Sequence, residues 1–174
     1  LKDEDAATSR FLPFAVEASW ITSRWSKLKG YLELCAEKGT GDFNVGIGSA
    51  LCALQGRHEN NDALLAEKSE AFTKTINQLR LSVAKSLTAN SVASLQSCHD
   101  DMLRLHALAD VEAIANAGTG SPLYPDLSAA LKRRLDVLGG YIAEKQYLLG
   151  IRRAAMELAW VDTIILFVFY GLAN

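Results

Sequence analysis

The stretch INQLRLSVAKSLTANSVASLQSCHDDMLRLHALADVEAI, residues 76–114, decides the fold. Ile76, Leu79, Val83 and Leu87 recur every three or four positions, and Val92, Leu95, Cys98, Met102 and Leu105 then do the same. That is the period of a helix buried along one side. Ser91 lies between the two runs and suits an N-cap, so two helices are expected rather than one. The first extends back through Leu65 and Phe72 to about residue 60, and the second runs on to about Asn116.

The same period governs the flanks. Ser9 to about Thr22 reads as a helix with Phe11, Phe14, Ala15, Ala18 and Ile21 on one side. After a short turn, Trp25, Leu28, Tyr31, Leu32 and Cys35 mark the next helix. Gly39-Thr40-Gly41 ends it, because glycine is the default residue after a helix C-terminus. Asp42 suits an N-cap for a third helix through Phe43, Val45, Ile47, Ala50, Leu51 and Leu54. Gly46 and Gly48 inside it each cost about 1 kcal/mol against alanine, which close helix packing would explain. Gly56 to His58 form a break, and Ala117 to Pro125 read as a loop. Leu127, Leu131, Leu135 and Leu138 mark a sixth helix. Gly139-Gly140 interrupts the chain before a seventh, marked by Leu148, Leu149, Ile151 and Met156.

No stretch alternates as a strand does, so the fold expected is all-α: about seven helices in antiparallel pairs. Each stripe is too narrow to be hidden alone, and stacking pairs into a helical-repeat solenoid hides them all. Trp25, Leu28 and Leu32 loosely echo the first helix of a tetratricopeptide repeat, although Lys29 stands where a small residue is expected. A divergent TPR-like repeat follows as the expectation. Its core residues would include Trp20, Trp25, Leu28, Phe43, Phe72, Ile76, Leu79, Met102, Leu105, Leu135 and Leu149.

Composition agrees. Of 174 residues, 49% are apolar and 22% charged, the balance of a folded domain rather than a disordered chain. A net charge of −2 gives no strong pull toward nucleic acid or anionic lipid. Cys35, Cys52 and Cys98 form no CxxC pair and read as buried free thiols of an intracellular protein. The chain opens on Leu1, with no basic segment leading into an apolar one, so a fragment without a signal peptide is expected. From Trp160 to Asn174 the only charge is Asp162, and TIILFVFYGL (Thr163 to Leu172) falls short of the ~20 residues of a membrane span. A buried helix of a following repeat, a non-native terminus and a membrane anchor all stay open for this tail. The abrupt change of composition favours the second. The expected division is therefore a helical segment over 1–158 and an apolar tail over 159–174.

Motifs for chemistry are sparse. His99 and His106 share a helix face, but metal pairs on helices usually stand three or four apart, and no third ligand is evident. GTGDFNVGIG, residues 39–48, lacks the GK[ST] of a phosphate loop and follows no strand. Asp42-Phe43-Asn44 matches a kinase metal-binding triplet in letters only, with no His-Arg-Asp loop in the chain. Cys98 and His99 are adjacent on a helix and point about 100° apart, which does not make a dyad. Lys132-Arg133-Arg134 and Arg152-Arg153 read as stems covering apolar surface and as interhelical ion pairs. Ser121-Pro122 is a proline-directed dipeptide of a kind common by chance. No catalytic, cofactor or metal residue is assigned.

Several segments together resemble the FAT region of ATR-type checkpoint kinases, in a form associated with filamentous fungi. FAVEASWITSRWSKLKGYL (Phe14 to Leu32) is similar to a helix pair of that region, with its A-x-W segment, second tryptophan and Leu-x-x-Tyr-Leu ending. FNVGIGSALCAL (Phe43 to Leu54) resembles the next helix, and Ile76 to Ile114, closing on LHALADVE, the following two. LKRRLDVLGGYIAEKQYLLGIRRAAMEL (Leu131 to Leu158) is similar to an Arg-Leu helix and a Leu-x-x-Arg-Arg helix. The likeness is collinear from Phe11 to Leu158.

It implies a non-catalytic, TPR-like scaffold of a large nuclear PI3-kinase-related serine/threonine-protein kinase that serves DNA damage signalling and DNA repair. The parent's kinase domain would lie further toward the C-terminus, use ATP and Mg, and phosphorylate Ser-Gln and Thr-Gln sites. The contacts implied are with the rest of the kinase and an ATRIP-type partner, with no direct nucleic acid and no membrane. The stacked helices would act as a stiff arc felt by the kinase domain. The rivals are a free-standing TPR-like adaptor for protein–protein interaction, and a small helical enzyme or metal protein using His99 and His106.

Overall fold

The computed structural model describes residues 2–39, 42–55, 62–90, 95–117 and 127–159. Among them every regular element is a helix, and there is no strand. The elements are α1 (Lys2–Ile21), α2 (Trp25–Lys38), α3 (Phe43–Gln55), α4 (Asp62–Asn90), α5 (Leu95–Ala117), α6 (Leu127–Val137) and α7 (Ile142–Ala159). The expected all-α class holds. The expected breaks around residues 40–41, 56–58 and 91–94, the loop before Pro125 and the tail from Trp160 onward lie outside the described residues. The chain divides into two compact units, 1–76 and 77–174.

In the first unit α1, α2 and α3 pack on one another. The helix α1 begins at Lys2, seven residues before the expected start, and carries Pro13 inside it. Its C-terminus closes without a glycine. Ser23 takes the left-handed conformation at φ 56°. The Arg24 N–H donates to the Ser19 carbonyl at 2.8 Å, and the Ser23 N–H to that of Trp20 at 3.4 Å. This is a Schellman turn, and it starts α2 at Trp25. Gly39 ends α2 in the same conformation, at φ 63°, as the sequence predicts. Asp42 caps α3, its Oδ1 accepting the Asn44 N–H at 2.8 Å.

The buried face of α1 differs from the expected one. Leu12, Val16 and Trp20 are buried, while Phe11 and Phe14 are 69% and 68% exposed. With apolar residues on more than one side of α1, periodicity alone does not set its rotation. Val16 meets Gly48 of α3, as the two-glycine helix suggests. A Cβ on Gly48 would lie 2.9 Å from Val16 Cγ1, 3.2 Å from Leu28 Cδ1 and 3.5 Å from Leu32 Cδ2. The missing side chain is what lets α3 seat against α1 and α2.

In the second unit α5 is the common wall, packed by α7 and by α6. Its buried residues include Ala107, Leu108, Val111, Ala113, Ile114 and Ala115, and those of α7 include Leu148, Ile151, Ala154, Ala155, Leu158 and Ala159. Alanines on both sides bring the two axes close, since interaxial distance follows side-chain size. The break at Gly139-Gly140 is a tight corner between α6 and α7, with Gly139 at φ 56°.

Of the core residues expected from sequence, Trp20, Leu28, Phe72 and Ile76 are buried. Trp25, Phe43, Leu79, Leu105 and Leu135 are half-buried. Met102 and Leu149 need correction, at 46% and 47% exposed. On α7 the inward positions are Leu148 and Ile151, and a step of one residue turns Leu149 by about 100° away from them. On α5 the buried Asp101 lies one residue before Met102 and displaces it in the same way.

Two glycines should respond in opposite directions. Gly48→Val overpacks the α1–α2–α3 seam and should destabilise the chain by about 1–3 kcal/mol. Gly30 lies inside α2, and a Cβ there would meet nothing within 4 Å. Gly30→Ala should therefore stabilise the chain by about 1 kcal/mol. Urea denaturation of both variants measures the contrast.

Candidate functional site

Charge placed inside the apolar seam of the second unit is the most distinctive chemistry of the chain. Asp110 sits on α5 among Ala107, Leu108, Val111 and Ile114, and its residue exposure is 0%. An isolated carboxylate there would be costly, so it needs partners. It has two, from different helices. Arg134 of α6 donates its Nε–H to Oδ1. Arg152 of α7 donates its Nε–H to Oδ2 at 2.6 Å. Arg152, only 5% exposed, also donates from Nη2 to the Leu131 carbonyl of α6 at 2.8 Å. One carboxylate therefore holds three helices.

His106 lies one turn before Asp110. Burial pushes its imidazole below the usual range; Asp110 pulls it up, and Arg134 and Arg152 push it down. The neutral ring suits a cluster that already carries one more positive charge than negative. Around this core the pairs are more exposed. Arg80 of α4 bonds Glu112 of α5 at 2.8 Å, and Arg104 bonds the buried Asp101 at 3.1 Å.

The two basic runs are divided by helix phase. Arg134 and Arg152 turn inward, while Lys132, Arg133 and Arg153 are exposed. Arg153 stands 3.8 Å from Glu157. The reading of these runs as interhelical ion pairs therefore describes Arg134 and Arg152. It missed Asp110, although an aspartate flanked by apolar residues at helical spacing was a visible sign of a buried carboxylate.

The histidines have separate surroundings. His99 Nε2 stands 3.8 Å from Glu144 Oε1, and its ring centroid lies 5.2 Å from that of Tyr141. Among the described residues no group of three or more His, Cys, Asp or Glu stands together as metal ligands would. Cys35 is buried, whereas Cys52 and Cys98 are half-buried, so the expectation of three buried thiols holds only for the first. Burial pushes the Cys35 and Cys52 thiols up, away from the thiolate that reactivity needs. In the first unit Glu17 accepts a hydrogen bond from Asn44 Nδ2 at 3.0 Å. Burial raises its pKa, and the Asp42 charge raises it further.

This arrangement can hold helices in register, and its parts come from LHALADVE, LKRRL and LGIRR. A family model described as FAT domain matches residues 12–162. No curated protein and no solved structure matches the chain. No helix among the described residues is long and apolar enough to cross a membrane.

Removing the shared carboxylate should be expensive. Asp110→Asn leaves two guanidiniums without a counterion and should cost about 3–5 kcal/mol. Replacing all three groups by apolar side chains of similar volume should recover most of that loss. Equilibrium unfolding in guanidinium chloride compares the two.

Proposed function

The chain belongs to the FAT domain family, and from that premise we propose that it is a helical scaffold segment of an ATR-type checkpoint kinase. FAT domains are found in PI3-kinase-related kinases. The parent on this reading is nuclear, phosphorylates Ser-Gln and Thr-Gln sites with ATP and Mg, and works with an ATRIP-type partner. The segment itself makes protein–protein contacts within that assembly, as divergent TPR-like repeats do.

The observation that carries the reading is the joining of α5, α6 and α7 at Asp110. The segments that resemble the family's pattern are those that supply this joint. Its groups are spent on one another: each oxygen of the carboxylate accepts from a different guanidinium, and the second guanidinium also serves a backbone carbonyl. Such a joint suits a part that keeps shape under load.

Tagging the gene in its native cells tests the proposal. Peptides of a kinase catalytic domain should appear in the same polypeptide as this segment. Arg152→Met should reduce Ser/Thr-Gln phosphorylation after replication stress, with the parent still present at normal abundance. A tagged product that carries no kinase sequence, or unchanged phosphorylation in the variant, would overturn it.

A further inference from the structure

The three helices of the joint are not equally held. Both α5 and α7 bury a long series of apolar side chains against their surroundings, including Leu108, Val111 and Ile114 on one and Leu148, Ile151 and Leu158 on the other. The short helix α6 buries only Leu131 within its length, with Leu138 buried just beyond its end. Leu135 is half-buried, and the polar attachments of α6 include the Arg134 pair with Asp110 and the Arg152 bond to the Leu131 carbonyl. Elements with few buried apolar contacts open first.

The pairing also separates unevenly. Asp110 and Arg152 are both buried, with side chains 0% and 6% exposed, whereas Arg134 is 23% exposed. If α6 leaves, the carboxylate keeps Arg152, and Arg134 reaches water with its charge intact. A corner lies ready at Gly139-Gly140, where Gly139 already holds a positive φ and neither glycine is crowded.

We propose that α6 is a latch that undocks from α5 and α7 about the Gly139-Gly140 corner while the α5–α7 seam and the Asp110–Arg152 pair stay closed. Arg134 reaches from α6 to the buried carboxylate, and its departure leaves that carboxylate paired with Arg152.

Hydrogen exchange of the full 174-residue chain tests this, with protection corrected for intrinsic exchange rates. In Arg134→Gln, α6 amides should lose about tenfold or more of their protection, with α5 and α7 within about twofold of wild type. In the wild type, α6 amides should already exchange faster than those of α5 and α7. Equal loss across α5, α6 and α7, or unchanged α6 protection in Arg134→Gln, would overturn the latch. A wild-type chain in which α6 is protected as strongly as α5 and α7 would overturn it as well, and that measurement stands even where the variant folds poorly.

Discussion

An α-helix can take its apolar stripe out of water only by laying it against something else, and among the described residues only other helices are present to receive it. The local features of the chain answer to that constraint. Close approach requires small groups at the crossing, which is why Gly48 faces Val16 and Leu28 and why alanines recur where α5 meets α7. It also requires abrupt reversals, supplied by Ser23, Gly39 and Gly139 in the left-handed region. The cost of a helical glycine, about 1 kcal/mol, is small against the side chains the seam removes from water, at about 1.5–3 kcal/mol each.

A carboxylate inside such a seam reverses the usual preference for hydrocarbon. Asp110 and its two arginines add little net stability compared with a well-packed apolar trio, because three charges must be stripped of water. What the cluster adds is direction. Dispersion contacts tolerate many rotations of one helix on another, whereas a guanidinium fork must point at an oxygen. With Oδ1 taken by α6 and Oδ2 by α7, the rotation of each helix about its own axis is tied to a single atom pair on α5.

Features set by neighbouring residues were legible in the sequence, and those set by distant ones were not. The helix class, the stop at Gly39, the cap at Asp42 and the corner at Gly139-Gly140 depend on a few adjacent residues. Helix phase does not. In α1 the aromatic pair Phe11 and Phe14 suggested one face, and Leu12, Val16 and Trp20 occupy the other, because what settles the rotation is the glycine gap at residue 48. In α7 Leu148 and Leu149 are interchangeable by composition, and only the packing on α5 selects the first. The Asp110 cluster joins residues 24 and 42 positions apart. Its arginines were expected to make ion pairs, but the acid that receives them is one of 20 acidic residues, and only its apolar neighbours set it apart.

The two kinds of contact respond differently to strain. A dispersion seam loses a quarter to a half of its attraction when a gap of about 0.5–1 Å opens, so α5 and α7 either stay seated or part altogether. An ion pair weakens with the first power of distance, and its partner in water gains hydration as it leaves. Around one carboxylate the joint combines both kinds of attachment: α7 buries Leu148, Ile151 and Leu158 beside its Arg152 pair, whereas α6 buries Leu131 within its length beside its Arg134 pair. On the proposed latch, that difference is what lets α6 leave while the α5–α7 seam stays closed.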